Sequence, residues 1–133
     1  MNLGIEDKIA LVCGASAGLG KAAALALSQE GAKVALCSRD FKRVTAAARE
    51  ISGKTGCETA GFAVDVSDAE ACRLWVSSVA KKWGSADILV HNAGGPAAGT
   101  TEEVDAARWR EGFEKNLLSA ATLSRLVSHH MKK

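Results

Sequence analysis

The segment Gly14-Ala-Ser-Ala-Gly18-Leu-Gly20 follows an all-apolar run, residues 9–13, and leads into an alanine-rich stretch with helical character. A strand that ends in a glycine turn and opens a helix is one βα unit, and each glycine in it has a separate task. Gly14 permits the tight turn out of the strand, because glycine takes positive φ without steric cost. Gly18 lets the backbone approach a pyrophosphate, and Gly20 lets the new helix pack closely on the strand; Ala22, Ala23, Ala24 and Ala26 extend that thin surface. The helix N-terminus then presents unpaired amides and a positive dipole end to the phosphates. An ordinary turn before a helix is the alternative, and the strand-loop-helix context weighs against it.

The rest of the chain repeats the βα pattern. Strands are expected over residues 8–13, 33–38, 58–64 and 87–91, and helices over 19–30, 41–52 and from the capping box Ser67-Asp-Ala-Glu70 to about 83. Gly31, Gly53 and Gly84 stand where those helices should stop. A loop, residues 92–99, precedes a long last helix from about Asp105, on which Trp109, Phe113, Asn116, Leu117, Ala120 and Leu123 recur at three- and four-residue intervals. Strands one, two and four are continuous apolar runs, as expected of a parallel sheet covered on both faces. The fold class is therefore α/β, a doubly wound parallel sheet of Rossmann type with about four strands in the order 3-2-1-4 and helices on both faces, and residues 1–133 are expected to form one dinucleotide-binding domain, incomplete at its C-terminal side.

Composition adds mainly exclusions. With 133 residues and 47% apolar content the chain can bury a core but holds no second complete domain. Seventeen basic and fifteen acidic residues leave a formal +2 without a basic block, which points away from nucleic acid and anionic membrane surfaces. No apolar run is long enough to span a bilayer and the N-terminus lacks a signal-like pattern, so a cytoplasmic location is expected. Cys13, Cys37, Cys57 and Cys72 have no metal-ligand spacing; Cys13 and Cys37 end two strands and read as small buried hydrophobes. No metal site is expected, and His129 and His130 read as solvated residues beside a helix C-terminus.

With these elements in order, the sequence resembles the short-chain dehydrogenase/reductase family, in particular members like the 3-oxoacyl-acyl-carrier-protein reductases. The glycine loop has the family's Gly-x3-Gly-x-Gly spacing, with Cys13 where threonine is usual. His91-Asn92-Ala93-Gly94 resembles the Asn-Asn-Ala-Gly motif, with histidine for the first asparagine. Asp65-Val66 matches the adenine-binding pair, and Trp109 and Asn116 match the tryptophan and asparagine of the family's catalytic helix. The resemblance implies cofactor contacts from Gly14, Ser16, Gly18, Leu19, Gly20, Ser38, Arg39, Asp65, Val66, Asn92, Ala93 and Gly94, and a proton-relay role for Asn116.

Several of these residues keep a structural alternative. Asp65 can accept from an adenine amino group or serve as a carboxylate at the entry of the next helix beside Ser67. Asn92 can touch the cofactor ribose or tie neighbouring strands together, and Asn116 can anchor a water or simply face solvent. Ser38 occupies the position of the acid in NAD-preferring relatives, and Arg39 that of the base in NADP-preferring ones. A guanidinium there can fork onto a 2'-phosphate, which makes NADP(H) the expected cofactor over NAD(H). Asp40 runs against this unless it caps the following helix, and Arg39 could be an ordinary surface cation.

The family's reaction uses a tyrosine, a lysine four residues on and a serine, which the resemblance places beyond the last helix. This sequence has no tyrosine and matches about the first half of a typical member. It is therefore expected to be the nucleotide-binding half of such an oxidoreductase, inactive by itself on a carbonyl or alcohol. A stand-alone NADP(H)-binding or interaction module is the competing reading, and a remnant that binds nothing is a third. Strand four would be an open sheet edge, so self-association through it is also expected.

Overall fold

A computed structural model of the chain describes residues 2–95 and 98–131. Four parallel strands, β1 (Ile9–Val12), β2 (Lys33–Ser38), β3 (Thr59–Ala63) and β4 (Ile88–Val90), form one sheet in the order β3-β2-β1-β4. Helices α1 (Gly18–Gln29), α2 (Phe41–Thr55) and α3 (Ala69–Trp83) follow the first three strands. After β4 come α4 (Ala106–Phe113), a five-residue π-helical turn (Glu114–Leu118) and α5 (Ser119–Met131). This is the expected doubly wound Rossmann-type arrangement.

Alternate residues of β1 feed two cores. Ile9, Leu11 and Cys13 join Ala35, Cys37, Trp75, Val79, Leu123 and Val127 on the side of α3 and α5. Ala10 and Val12 join Ala24, Val34, Leu36, Val44, Ala48 and Ile51 on the side of α1 and α2. Every residue of β1 is buried, which is why its sequence carries no alternation; burying a Leu or Val side chain contributes about 1.5–3 kcal/mol. β3 and β4 are the half-buried edges.

Three local expectations need correction. Gly53 does not stop α2: the helix continues to Thr55, and Gly56, at φ 76°, is the left-handed cap whose N–H bonds to the Ser52 carbonyl. The last turn is held from elsewhere, by buried Ile51 and by a 2.8 Å hydrogen bond between the Thr55 and Ser28 hydroxyls. Those contacts offset the roughly 1 kcal/mol that glycine costs within a helix. The capping box at Ser67 does not form either. Asp68 is the N-cap of α3 and accepts from the N–H groups of Glu70 and Ala71, while the Ser67 hydroxyl is turned back onto Asp65. The single long last helix is interrupted by the π turn.

Among the described residues, no helix is long and apolar enough to cross a membrane.

Candidate functional site

An open groove of about 700 Å3 lies over the carboxyl ends of the strands, where ligands bind in open α/β sheets. Gly14 and Ser16 of the glycine loop, Ser38 and Arg39 after β2, Asp65 and Val66 after β3, and Asn92, Ala93 and Gly94 after β4 all line it. Segments up to eighty residues apart in sequence thus converge on one surface, as the order of the βα units requires. Gly18, Leu19 and Gly20 are not in its wall; they form the first turn of α1, and the Leu19 side chain is 84% exposed.

The glycine loop is built as its spacing demands. Gly14 and Gly18 take φ of 57° and 58°. A Cβ on Gly14 would run into the Asn92 carbonyl, and one on Gly20 into the Gly14 carbonyl, so both positions are closed to any side chain. Around Gly18, in contrast, none of the described residues lies within 4 Å of the Cβ position. The N-cap of α1, Ala17, supplies no side-chain hydrogen bond, and no acidic residue lies in the first turn. The other α-helices that follow a loop are capped by aspartates: Asp40 on α2, Asp68 on α3 and Asp105 on α4. The first turn of α1 therefore keeps its amides and its dipole end for an external anion, beneath open space.

At the other end of the groove, the Asp40 carboxylate accepts from the Arg43 N–H at 3.0 Å, and the Ser38 hydroxyl donates to the Asp40 carbonyl at 3.1 Å. Asp40 is engaged as a helix cap, and it also lines the groove beside Arg39. Asp65 accepts from both the N–H (3.0 Å) and the hydroxyl (2.6 Å) of Ser67 through Oδ1. Those hydrogen bonds hold its carboxyl below the ordinary value against the opposing effect of burial, with lesser help from the charges of Arg39 and Lys115. The helix-entry role is thus real, and Oδ2 takes no hydrogen bond from the described residues.

Two cations in the groove wall escaped the sequence reading, Arg43 and Lys115. Arg43 could have been found, since it lies in the first turn of the helix that Asp40 caps, four residues after Arg39. Lys115 gave no local signal: the π turn brings it over from far along the chain, where it also bonds Glu111 at 2.5 Å.

Asn92 ties strands together. Its amide nitrogen donates to the Gly14 carbonyl at 3.3 Å and the Cys13 carbonyl at 3.5 Å, fixing the end of β4 to the glycine loop. The preceding His91 bonds through Nε2 to the hydroxyl of buried Ser119 at 2.9 Å. That hydroxyl donates its one proton to the Lys115 carbonyl, so Nε2 must be the donor toward it. Burial pushes the His91 pKa below its ordinary value. Asn116 lies in the π turn, exposed, and donates to the Gly112 carbonyl at 2.9 Å. It lines a second, apolar groove of about 590 Å3 with Trp109, Phe113 and Leu117, apart from the groove over the strand ends. No cluster of metal-ligating side chains occurs among the described residues.

The family model of the short chain dehydrogenases matches residues 8–133. The chain belongs to the short-chain dehydrogenase family. It is 35% identical over 119 residues to the provisionally named ketoacyl reductase 1 of the granaticin polyketide synthase from Streptomyces violaceoruber, a match covering 90% of this chain and 43% of that protein. The crystal structure of L-sorbose reductase from Gluconobacter frateurii, complexed with NADPH and L-sorbose, superposes with a TM-score of 0.94 at 36% identity, covering 99% of this chain and 50% of that one. A 7α-hydroxysteroid dehydrogenase complexed with NADH superposes at 0.91 with 29% identity, over 98% of this chain and 51% of that one. This short-chain dehydrogenase sequence thus spans about half the length of the relatives it matches.

Proposed function

We propose that this chain binds NADP(H), in preference to NAD(H), as the nucleotide-binding portion of a short-chain oxidoreductase acting on a carbonyl or alcohol. The observation that carries the proposal is the first turn of α1, uncapped, free of acidic residues and roofed by open space at Gly18. The backbone amides there would hold the pyrophosphate, with Asn92 keeping the loop in shape. Asp65 and Val66 would meet the adenine, and Arg39, with Arg43 beside it, would take the 2'-phosphate in a charge-assisted grip. The bound nicotinamide would supply or accept the hydride. NADPH in the L-sorbose reductase complex supports the choice, while NADH in the hydroxysteroid dehydrogenase complex shows that relatives differ in it.

Calorimetric titration tests this reading directly: saturable NADP binding, tighter than NAD, is expected, and an absence of binding to either overturns it. Arg39→Asp should reverse the preference; an unchanged ratio would defeat the assignment of the 2'-phosphate site.

These 133 residues hold no tyrosine, and we propose that the chain alone does not turn over. Steady NADPH oxidation by the purified chain with carbonyl substrates would refute that. The apolar groove at Trp109, Phe113 and Leu117 favours a second reading, a cofactor-binding or interaction module that works through a partner. Adding a complementary fragment of a relative separates the two, since recovered turnover supports the reductase and continued inactivity supports the module. The half-buried edge of β4 supports self-association, and a strictly monomeric species in ultracentrifugation at high concentration would exclude it.

A further inference from the structure

Three cations stand in the wall of the groove over the strand ends, Arg39, Arg43 and Lys115, against two carboxylates, Asp40 and Asp65. Arg39 leads into α2 and Arg43 lies in its first turn, on one face of the sheet, whereas Lys115 lies in the π turn that leads into α5, on the other. Lys115 therefore reaches the groove from the side opposite the arginines. Its place is fixed from the sheet: its carbonyl accepts from the Ser119 hydroxyl, and buried Ser119 is bonded to His91 just after β4. The nucleotide-binding reading above gives this lysine no task.

Lys115 is also the member of the three that already has a partner. Among the described residues Arg39 and Arg43 enter no ion pair, while Lys115 Nζ lies 2.5 Å from Glu111 Oε1, one turn back on α4. Glu111 is exposed and stands outside the groove wall. A solvated pair within one helical stretch is a weak hold on a flexible lysine stem. On the groove side, the charges of Arg39 and Lys115 both reach Asp65, the residue given above to the adenine, so both cations stand near the adenosine half of a bound dinucleotide. An ammonium group has three donors and no acceptor, which suits the oxygens and ring nitrogens of that half, while Asp65 supplies the acceptor.

We propose that Lys115 is a nucleotide-contacting residue for which Glu111 competes: on binding, its ammonium passes from the Glu111 carboxylate to the adenosine 5'-phosphate portion that NADP and NAD share, leaving the 2'-phosphate to Arg39 and Arg43. This rests on the nucleotide-binding reading above and divides its labour. The arginines on the α2 side set which dinucleotide is preferred. Lys115, on the α5 side, sets how tightly either one is held, through a charge-assisted contact that releases Glu111 to water.

Calorimetric titration of the chain and its variants with NADP and with NAD, each variant checked for folding by circular dichroism, tests this. Lys115→Met keeps the apolar stem and removes the charge; it should weaken both dinucleotides about tenfold, the scale of one hydrogen bond to a charged group, with their ratio unchanged. Lys115→Arg should keep most of the affinity. Glu111→Gln should strengthen both about twofold, the scale of a solvated ion pair, and should have no effect in a chain that already carries Lys115→Met. Unchanged affinity in Lys115→Met overturns the contact, and a loss confined to NADP overturns the division of labour. No gain from Glu111→Gln, or a gain that persists without the lysine, overturns the competition. A wild-type chain that binds neither dinucleotide overturns the function proposed above and this inference with it, whereas wild-type binding that Lys115→Met leaves intact overturns this inference alone.

Discussion

The two ends of the carboxyl edge of the sheet are built to different standards. At the junction of β1 and α1, glycine loop, strand and the Asn92 side chain are in such close contact that two positions tolerate no Cβ at all. At α4 and the π turn nothing is buried, and Trp109, Phe113, Leu117 and Leu118 are each more than half exposed. The first region is finished by its own residues. The second presents apolar surface with a groove beside it, and the chain spans half the length of its relatives. Tolerance to substitution should therefore differ sharply between them.

The largest effect should come from Gly20→Ala. Its Cβ would meet backbone, which cannot swing aside as a flexible side chain would, so a loss of about 3 kcal/mol or more in urea unfolding is expected, with NADP binding lost in whatever remains folded. A loss below about 1 kcal/mol would show the junction to be looser than its geometry. Next, Leu123→Ala, at a fully buried position on the core face of α5, should cost about 2–5 kcal/mol, whereas Leu117→Ser on the π turn should change stability by no more than about 0.5 kcal/mol. Equal costs would erase the contrast between the two regions.

Asn92→Ala removes the tie between β4 and the glycine loop and should cost about 1 kcal/mol, with weaker NADP binding as its second readout; unchanged binding would reduce Asn92 to a packing residue. The smallest effect concerns His91. Its folded pKa lies below the ordinary 6.5 because of burial, so the unfolded chain binds the proton more readily. The contribution is complete above pH 6.5 and is lost as pH falls through that value toward the folded pKa. Melting temperatures of wild type and His91→Gln should thus converge between pH 7.5 and pH 5; parallel curves would deny the linkage.

What the sequence revealed and concealed divides along the same line. The strand order and the groove residues from Gly14 to Gly94 were legible because glycine spacing, apolar runs and strand-end polar residues are local signals, and the βα order then brings them together. Gly53 misled because its own preference was outweighed by Ile51 and Thr55, whose contacts lie far away in sequence. Ser67 misled because Asp68, one residue on, is an equally good cap and Asp65 claimed the serine hydroxyl. The place of Lys115 was hidden by the π turn, which follows no simple residue pattern.

That turn also sets a phase. A π turn holds about one residue more than the 3.6 of an α turn, so Glu114–Leu118 works as a one-residue insertion between two helices that would otherwise share a stripe. Ser119, Leu123 and Val127 face the core on one setting, while Trp109 and Phe113 lie on another. Deleting a single residue within the turn would rotate one stripe against the other by roughly 100°. The buried stripe of α5 and the exposed stripe of α4 are thus kept apart by a phase shift of one amino acid.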